Sequence, residues 1–196
     1  MLNGGEYFYG EWLEQMRAVV AEGPIIDIGT PAPFNKELQA VEDAAGSPYL
    51  WVDFCRQDGG PTLVADAGGL PVRSGSARGV ICSHVLQHVR SPERVIEEAR
   101  RVLEPGGRAY FTLLDSYPYH AGGEGYGDYH RFKEDAVDLL LGAWSAVHVL
   151  RGGGVGQVAM SYVPHKLKPA AQHVSNVVDC VVSTRTTPMR YVFATK

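Results

Sequence analysis

No stretch of the chain approaches the run of about 20 apolar residues that a membrane-spanning helix requires. Residues Met1 to Gly10 lack the basic and then apolar layout of an export signal, so the sequence predicts a cytoplasmic protein with no membrane partner. Cysteine is scarce: Cys55, Cys82 and Cys180 are an odd number without Cys-x-x-Cys spacing. That pattern speaks against a disulfide framework and against a thiolate metal site, and no metal is expected. There is no block of like charge, and 18 basic against 22 acidic residues give a formal net charge of −4. No overall positive field would draw such a chain to a phosphate backbone, so a small-molecule substrate is expected and nucleic acid is not. Internal repeats and linkers are also missing. With 196 residues, 45% of them hydrophobic, residues 1–196 read as a single domain that can bury roughly 70% of its unfolded surface.

Turn signals divide the chain into alternating elements. Trp12, Leu13, Met16, Val19 and Val20 stand at helical spacing within residues 10–22, and Gly23-Pro24 stops them. Ile25-Ile26-Asp27-Ile28 is a short, largely β-branched run ending at Gly29, the pattern of a buried parallel strand. A helix is expected over residues 34–45, then strands at 49–52, 62–65 and 79–82, with a helical turn around His84 to His88. Ser91, Pro92 and Glu93 open a helix with an N-cap, a proline at its first position and an acid at its positive end; Pro105-Gly106-Gly107 closes it. Residues 109–113 form a fifth strand, 134–142 a helix, and 146–150 and 189–194 late strands; 151–188 gives no clear assignment. Strands alternating with helices imply a mostly parallel, doubly wound α/β sheet whose ligand crevice lies at the carboxyl ends of the strands.

Two segments carry a family resemblance. One is Asp66-Ala67, Leu70-Pro71 and then Val80-Ile81-Cys82-Ser83-His84-Val85-Leu86-Gln87-His88-Val89; the other is Ala99-Arg100-Arg101-Val102-Leu103-Glu104-Pro105-Gly106-Gly107. Residues 24–114 resemble the class I S-adenosylmethionine-dependent methyltransferases, and Tyr191-Val192-Phe193-Ala194 is similar to their final strand. The resemblance implies a Rossmann-like sheet with an antiparallel last strand. It also implies an N-terminal helix in residues 1–23, a cofactor-binding half over 24–114 and a substrate-side half over 115–196. S-adenosylmethionine is the implied cofactor.

A ribose with two hydroxyls is well held by a carboxylate that accepts both hydrogen bonds, and Asp53 stands directly after the second strand, where the family holds its ribose acid. Asp66 and Ala67 would meet the adenine by the same resemblance, Ala67 through its backbone N–H. Either aspartate could equally be a turn former. The resemblance further implies cofactor contacts from Asp27, Gly29, Thr30, Phe54, Ser83 and His84. The family's first loop resembles Asp-x-Gly-x-Gly-x-Gly, whereas this chain reads Asp27-Ile28-Gly29-Thr30-Pro31-Ala32-Pro33. Pro31 and Pro33 lack an N–H and the positive φ that glycines there permit; Thr30 as a helix cap with Pro31 at the first helical position is the alternative account. Arg78 stands where the family usually has an acid, and Gln87 where it often has Glu.

Residues 115–131 are longer than an ordinary connection and rich in Gly, Tyr and His, so the substrate is expected there. His120 and His130 are candidate bases that could take a proton from an acceptor hydroxyl or amine. Tyr119, Tyr129 and Arg131 are candidate substrate contacts. Both imidazoles could instead bond neighbouring backbone while the phenols pack. His84 and His88 stand at i and i+4 without the Glu of a zinc motif, so packing of a helical turn explains them better than a metal.

Methyl transfer to O, N or C of a small acceptor is the function expected of this pattern. A methyltransferase-like protein that binds a partner, or catalyses without the cofactor, is the second reading. A nicotinamide enzyme would need G-x-G-x-x-G, which Gly29-Thr30-Pro31 does not supply. So small a domain has little room for a substrate cap, and a homodimer or a partner chain is expected to help close the site.

Overall fold

Short β-branched and aromatic runs assemble into one sheet, and the intervening helices cover its two apolar faces. The computed structural model describes residues 4–21, 23–29, 48–56, 61–119, 121, 126–181 and 186–196. Within them run α1 (Gly4–Val19), β1 (Ile25–Ile28), β2 (Tyr49–Asp53), β3 (Leu63–Val64), β4 (Ala77–Cys82), α2 (Pro92–Val102) and β5 (Leu103–Leu114). Then come α3 (Glu134–Leu141), β6 (Ala146–Arg151), α4 (Val155–Ser161), a 3-10 turn (His165–Leu167), α5 (Lys168–Val181) and β7 (Met189–Thr195). The helix expected over residues 34–45 lies outside the described residues, as do Thr30, Pro31, Pro33 and His120.

The sheet has seven strands in the order β3-β2-β1-β4-β5-β7-β6. The pairs β3–β2, β2–β1, β1–β4 and β4–β5 are parallel, while β7 runs antiparallel to both β5 and β6. This is the doubly wound sheet with a reversed last strand that the sequence predicts.

Period-two alternation sorts the strand residues onto two cores. Ile26, Ile28, Val80, Cys82, Ala109, Phe111 and Val192 face α2 and α3, whose Val95, Ile96, Ala99, Val102, Val137 and Leu141 pack on them. Ile25, Ile81, Tyr110 and Phe193 face α1, where Trp12, Met16 and Val19 pack. The approach of α1 is close: a Cβ on Gly79 of β4 would lie 2.3 Å from the carbonyl oxygen of Val19. Trp12 Nε1 donates to the Tyr110 hydroxyl at 3.2 Å across this contact.

Several boundaries differ from expectation. Ser91 makes no side-chain cap bond, so α2 begins on its proline, with Glu93 in the first turn. The Pro105-Gly106-Gly107 stop is absorbed into β5, which starts directly after α2. Gly106 takes φ +77 there, and the β4–β5 register shifts between Ala77 and Gly79. The residues around His84 to His88 form a turn, not a helix, and His84 itself has φ +58. The i, i+4 helical relation read for His84 and His88 therefore does not exist. Residues 151–188, unassigned from sequence, hold α4 and α5. Leu114 pairs with Met189 and Arg151 with Arg190, so this insertion leaves the sheet at the carboxyl edge of β5, the side where a ligand crevice opens.

Candidate active site

A cavity of about 540 Å³ opens over the carboxyl ends of β1, β2 and β4. Gly29 ends β1 with φ +70, and a Cβ there would come within 2.6 Å of Val85 Cγ2, so only glycine lets the backbone pass this wall. Asp53 ends β2 with its side chain buried, 3% of the residue exposed, and its Oδ1 accepts from the Cys55 N–H at 3.3 Å. Asp66 follows β3 and its Oδ1 accepts from the Gly68 N–H at 2.8 Å. One oxygen of each aspartate thus serves its own turn, and both residues line the cavity. The turn reading and the placement at a ligand crevice hold together for each. Val52, Val85, Val89 and Val95 supply apolar wall, and Ala67 and Phe54 complete the β2–β3 side.

At the end of β4, His84 lines the same cavity in the left-handed region of φ, where a residue with a side chain is uncommon. Two buried groups hold it there. Its N–H donates to Thr112 Oγ1 at 2.5 Å, and its carbonyl accepts from Gln87 Nε2 at 2.7 Å. Beneath the cavity, Asp27 is buried on β1 and its Oδ2 accepts from the Tyr49 hydroxyl. Burial, with the Asp27 charge beside it, pushes the Cys82 thiol far above its ordinary value, so it stays a protonated core group.

The chain after β5 reaches back over this region. Tyr126 and Tyr129 line the cavity. The Tyr126 ring meets Phe54 edge-on with centroids 5.0 Å apart and His88 at 5.8 Å. Burial and then the Asp53 charge and the Cys55 thiol raise the Tyr126 phenol to about 12, which keeps its hydroxyl protonated. Arg131 binds the loop to itself: Nε donates to Tyr117 O, Nη2 to Pro118 O, Nη1 to His130 O, and Nη1 and Nη2 to the two oxygens of Asp128 at 2.5 and 2.6 Å. A guanidinium has five N–H groups and all five are used, so Arg131 as placed has none to offer a substrate.

Of the residues predicted from sequence, Gly29, Asp53, Phe54, Asp66, Ala67, His84 and Tyr129 share the cavity. Asp27 and Ser83 are buried outside its lining, and Tyr119 is 79% exposed and also outside it. His130 sits between the rings of Tyr129 and Phe132, its buried Nε2 without a partner among the described residues.

The geometry agrees with what comparison finds. A family model described as "Methyltransferase domain" matches residues 37–111. The chain is 44% identical over 104 residues to the tRNA (carboxymethyluridine(34)-5-O)-methyltransferase of Mus musculus; the match takes in 50% of this chain and 15% of that protein. A S-adenosylmethionine-dependent methyltransferase from Mesorhizobium loti superposes with a TM-score of 0.63 at 16% identity, covering 96% of this chain and 98% of its own. One from Archaeoglobus fulgidus gives 0.62 at 10% identity, covering 97% and 94%. Residues 37–111 thus match a methyltransferase domain, and the chain shares the fold of these S-adenosylmethionine-dependent methyltransferases.

The cavity joins a buried carboxylate at Asp53, a backbone without a side chain at Gly29 and apolar walls from valines, features that a nucleoside cofactor would fit. Sequence reading missed Tyr126, His88, Arg90 and Arg94, which also line the cavity. Arg90 and Arg94 flank the recognised post-β4 motif, so position alone could have suggested them. Tyr126 carries no local signal, because its ring contacts lie 38 and 72 residues away, at His88 and Phe54.

Proposed function

We propose that the chain transfers the methyl group of S-adenosylmethionine to O, N or C of a small-molecule acceptor. The observation that carries this reading is Asp53, a buried carboxylate at the end of β2 facing a 540 Å³ cavity beside the positive-φ Gly29. Asp53 would hold the ribose hydroxyls, Asp66 and Ala67 the adenine edge, and Gly29 the close backbone approach. The cofactor, when bound, supplies a methyl already activated on a sulfonium, so the chain's task is chiefly alignment. His84, at the end of β4, would be a further cofactor contact, and the loop from Asp115 would stand on the side left for the acceptor. A weak base suffices there, and His120 is the proposed group; His130, whose Nε2 is buried and which does not line the cavity, would serve only if the loop that buries it shifts. The α4–α5 insertion rises from the same edge, and a second copy or a partner chain is proposed to complete the enclosure.

Pro31 and Pro33 support a second reading in which the fold is kept without cofactor or transfer. Calorimetric titration with S-adenosylmethionine and S-adenosylhomocysteine separates the two. Saturable binding that weakens at least about tenfold in Asp53→Ala is expected, since a hydrogen bond to a charged group is worth about 1.5–3 kcal/mol. Well-folded protein that binds neither ligand would sink the methyltransferase reading in favour of the second.

A further inference from the structure

The mouth of the cavity is crossed by residues that come from the far side of the sheet. In the sheet order, β2 and β4 flank β1, so walls built on them stand about 10 Å apart at two inter-strand spacings. Phe54 follows β2, and His88 lies in the turn after β4. One ring, Tyr126, touches both, at 5.0 and 5.8 Å between centroids. It therefore bridges the mouth above the end of β1.

The segment carrying that ring is tied to the β4 side at three points. The Tyr129 N–H donates to Gln87 O at 2.8 Å. Gly127 O lies 2.6 Å from His88 Nδ1; a carbonyl only accepts, so Nδ1 carries the proton and donates. The Arg90 guanidinium sits 5.6 Å from the Tyr129 ring centroid, a cation–π contact. The root is set by Arg131, whose bonds to Tyr117 O and Pro118 O join the returning chain to the outgoing one.

We propose that residues 126–131 are a strap that gates the cofactor: Tyr126 must lift from the Phe54–His88 gap to admit the nucleoside and then closes over it. This inference rests on the methyltransferase reading. It gives the loop a role on the cofactor side in addition to the acceptor side expected from sequence. Because the Arg131 staple joins residues 117–118 to 128–131, lifting the strap moves the chain that follows β5. Cofactor occupancy thereby shapes the acceptor side, and the order of binding is cofactor first.

The test is stopped-flow measurement of the association and dissociation rates of S-adenosylhomocysteine with wild type, Tyr126→Ala and Tyr126→Phe. The alanine variant removes the bridge, so both rates rise, dissociation by about two- to tenfold, the range carried by an aromatic contact. The phenylalanine variant keeps both ring contacts and loses only the hydroxyl's bond with the Cys55 thiol, so its rates should lie closer to wild type than to alanine. Binding to Tyr126→Ala but not to wild type would also support the gate, as a strap too firmly closed to admit ligand. Unchanged rates in Tyr126→Ala overturn the strap while leaving the cofactor site standing, as does a phenylalanine variant as fast as alanine. S-adenosylhomocysteine bound by neither wild type nor Tyr126→Ala overturns the cofactor reading and the strap with it.

Discussion

Among single residues, Asp115 shows how a charge can be buried at the active edge without being catalytic. It directly follows β5 with its side chain 1% exposed, and it accepts from Arg190 Nη1, Lys133 Nζ and Ser116 Oγ. Burial alone would raise its carboxyl, but the bonds from Lys133, Arg190 and Ser116 outweigh that and hold it below the ordinary 3.8. A carboxylate whose folded pKa is depressed stabilises the fold above the unfolded pKa, and that contribution fades as pH falls through the folded value. Asp115→Asn leaves Arg190 buried opposite a neutral group and should cost about 3–5 kcal/mol near neutral pH. Urea midpoints measured downward from about pH 7 should show the gap to wild type beginning to close below roughly pH 4, as the unfolded carboxyl protonates, and closing as pH falls through the lower folded value. A gap that stays constant into acid would remove Asp115 from the acid response. Sequence reading caught aspartates of another kind: Asp53 and Asp66 are legible because they end strands, and strand ends are marked locally. Arg131 was legible as a residue but not in its role, since five donors are assigned only when Tyr117 and Asp128 are brought to it.

At the scale of elements, legibility tracked periodicity. β1 and the late strands are mostly apolar, β-branched or aromatic runs, and their limits in the structure agree with the sequence to within about two residues. β5 was read short because Pro105-Gly106-Gly107 is turn chemistry, which the register shift against β4 accommodates inside a strand. The α4–α5 hairpin was not legible because exposed apolar residues, Tyr162 just after α4 and Val174 and Val177 on α5, blur the amphipathic stripe. Gly79 is a different case: a strand glycine whose reason is another element. Its missing Cβ leaves room for Val19 O, so α1 can seat Trp12 and Met16 on Ile81 and Tyr110. Gly79→Ala should force the last turn of α1 off the sheet and cost about 1–3 kcal/mol, the usual penalty of overpacking. Chemical denaturation would read the loss, and a red shift of tryptophan emission that disappears when Trp12 is replaced by phenylalanine would place it at Trp12. An alanine variant of wild-type stability would show that the contact between α1 and β4 yields freely.

For the whole molecule, the open matter is what meets the acceptor side, and charge gives the means to decide it. A relative that matches half of this chain is named for a tRNA substrate. Against that stand a net charge of −4 and a sequence pI near 6.0, which give no general attraction for a polyanion. Arg90 and Arg94 both line the cavity, Arg94 beside Gly68 and Asp66 at the proposed adenine end and Arg90 against the Tyr129 ring. Thermal unfolding with each ligand distinguishes the cases, because whatever binds the folded state alone stabilises it. S-adenosylhomocysteine at a hundred times its Kd should add about 2.7 kcal/mol. For a chain of this length that corresponds to roughly 5–10 °C in Tm. Bulk tRNA should leave Tm unchanged with or without S-adenosylhomocysteine. A tRNA-dependent rise that is present near 50 mM salt and gone near 200 mM would carry the mark of counterion release, and would turn the acceptor from a small molecule to RNA.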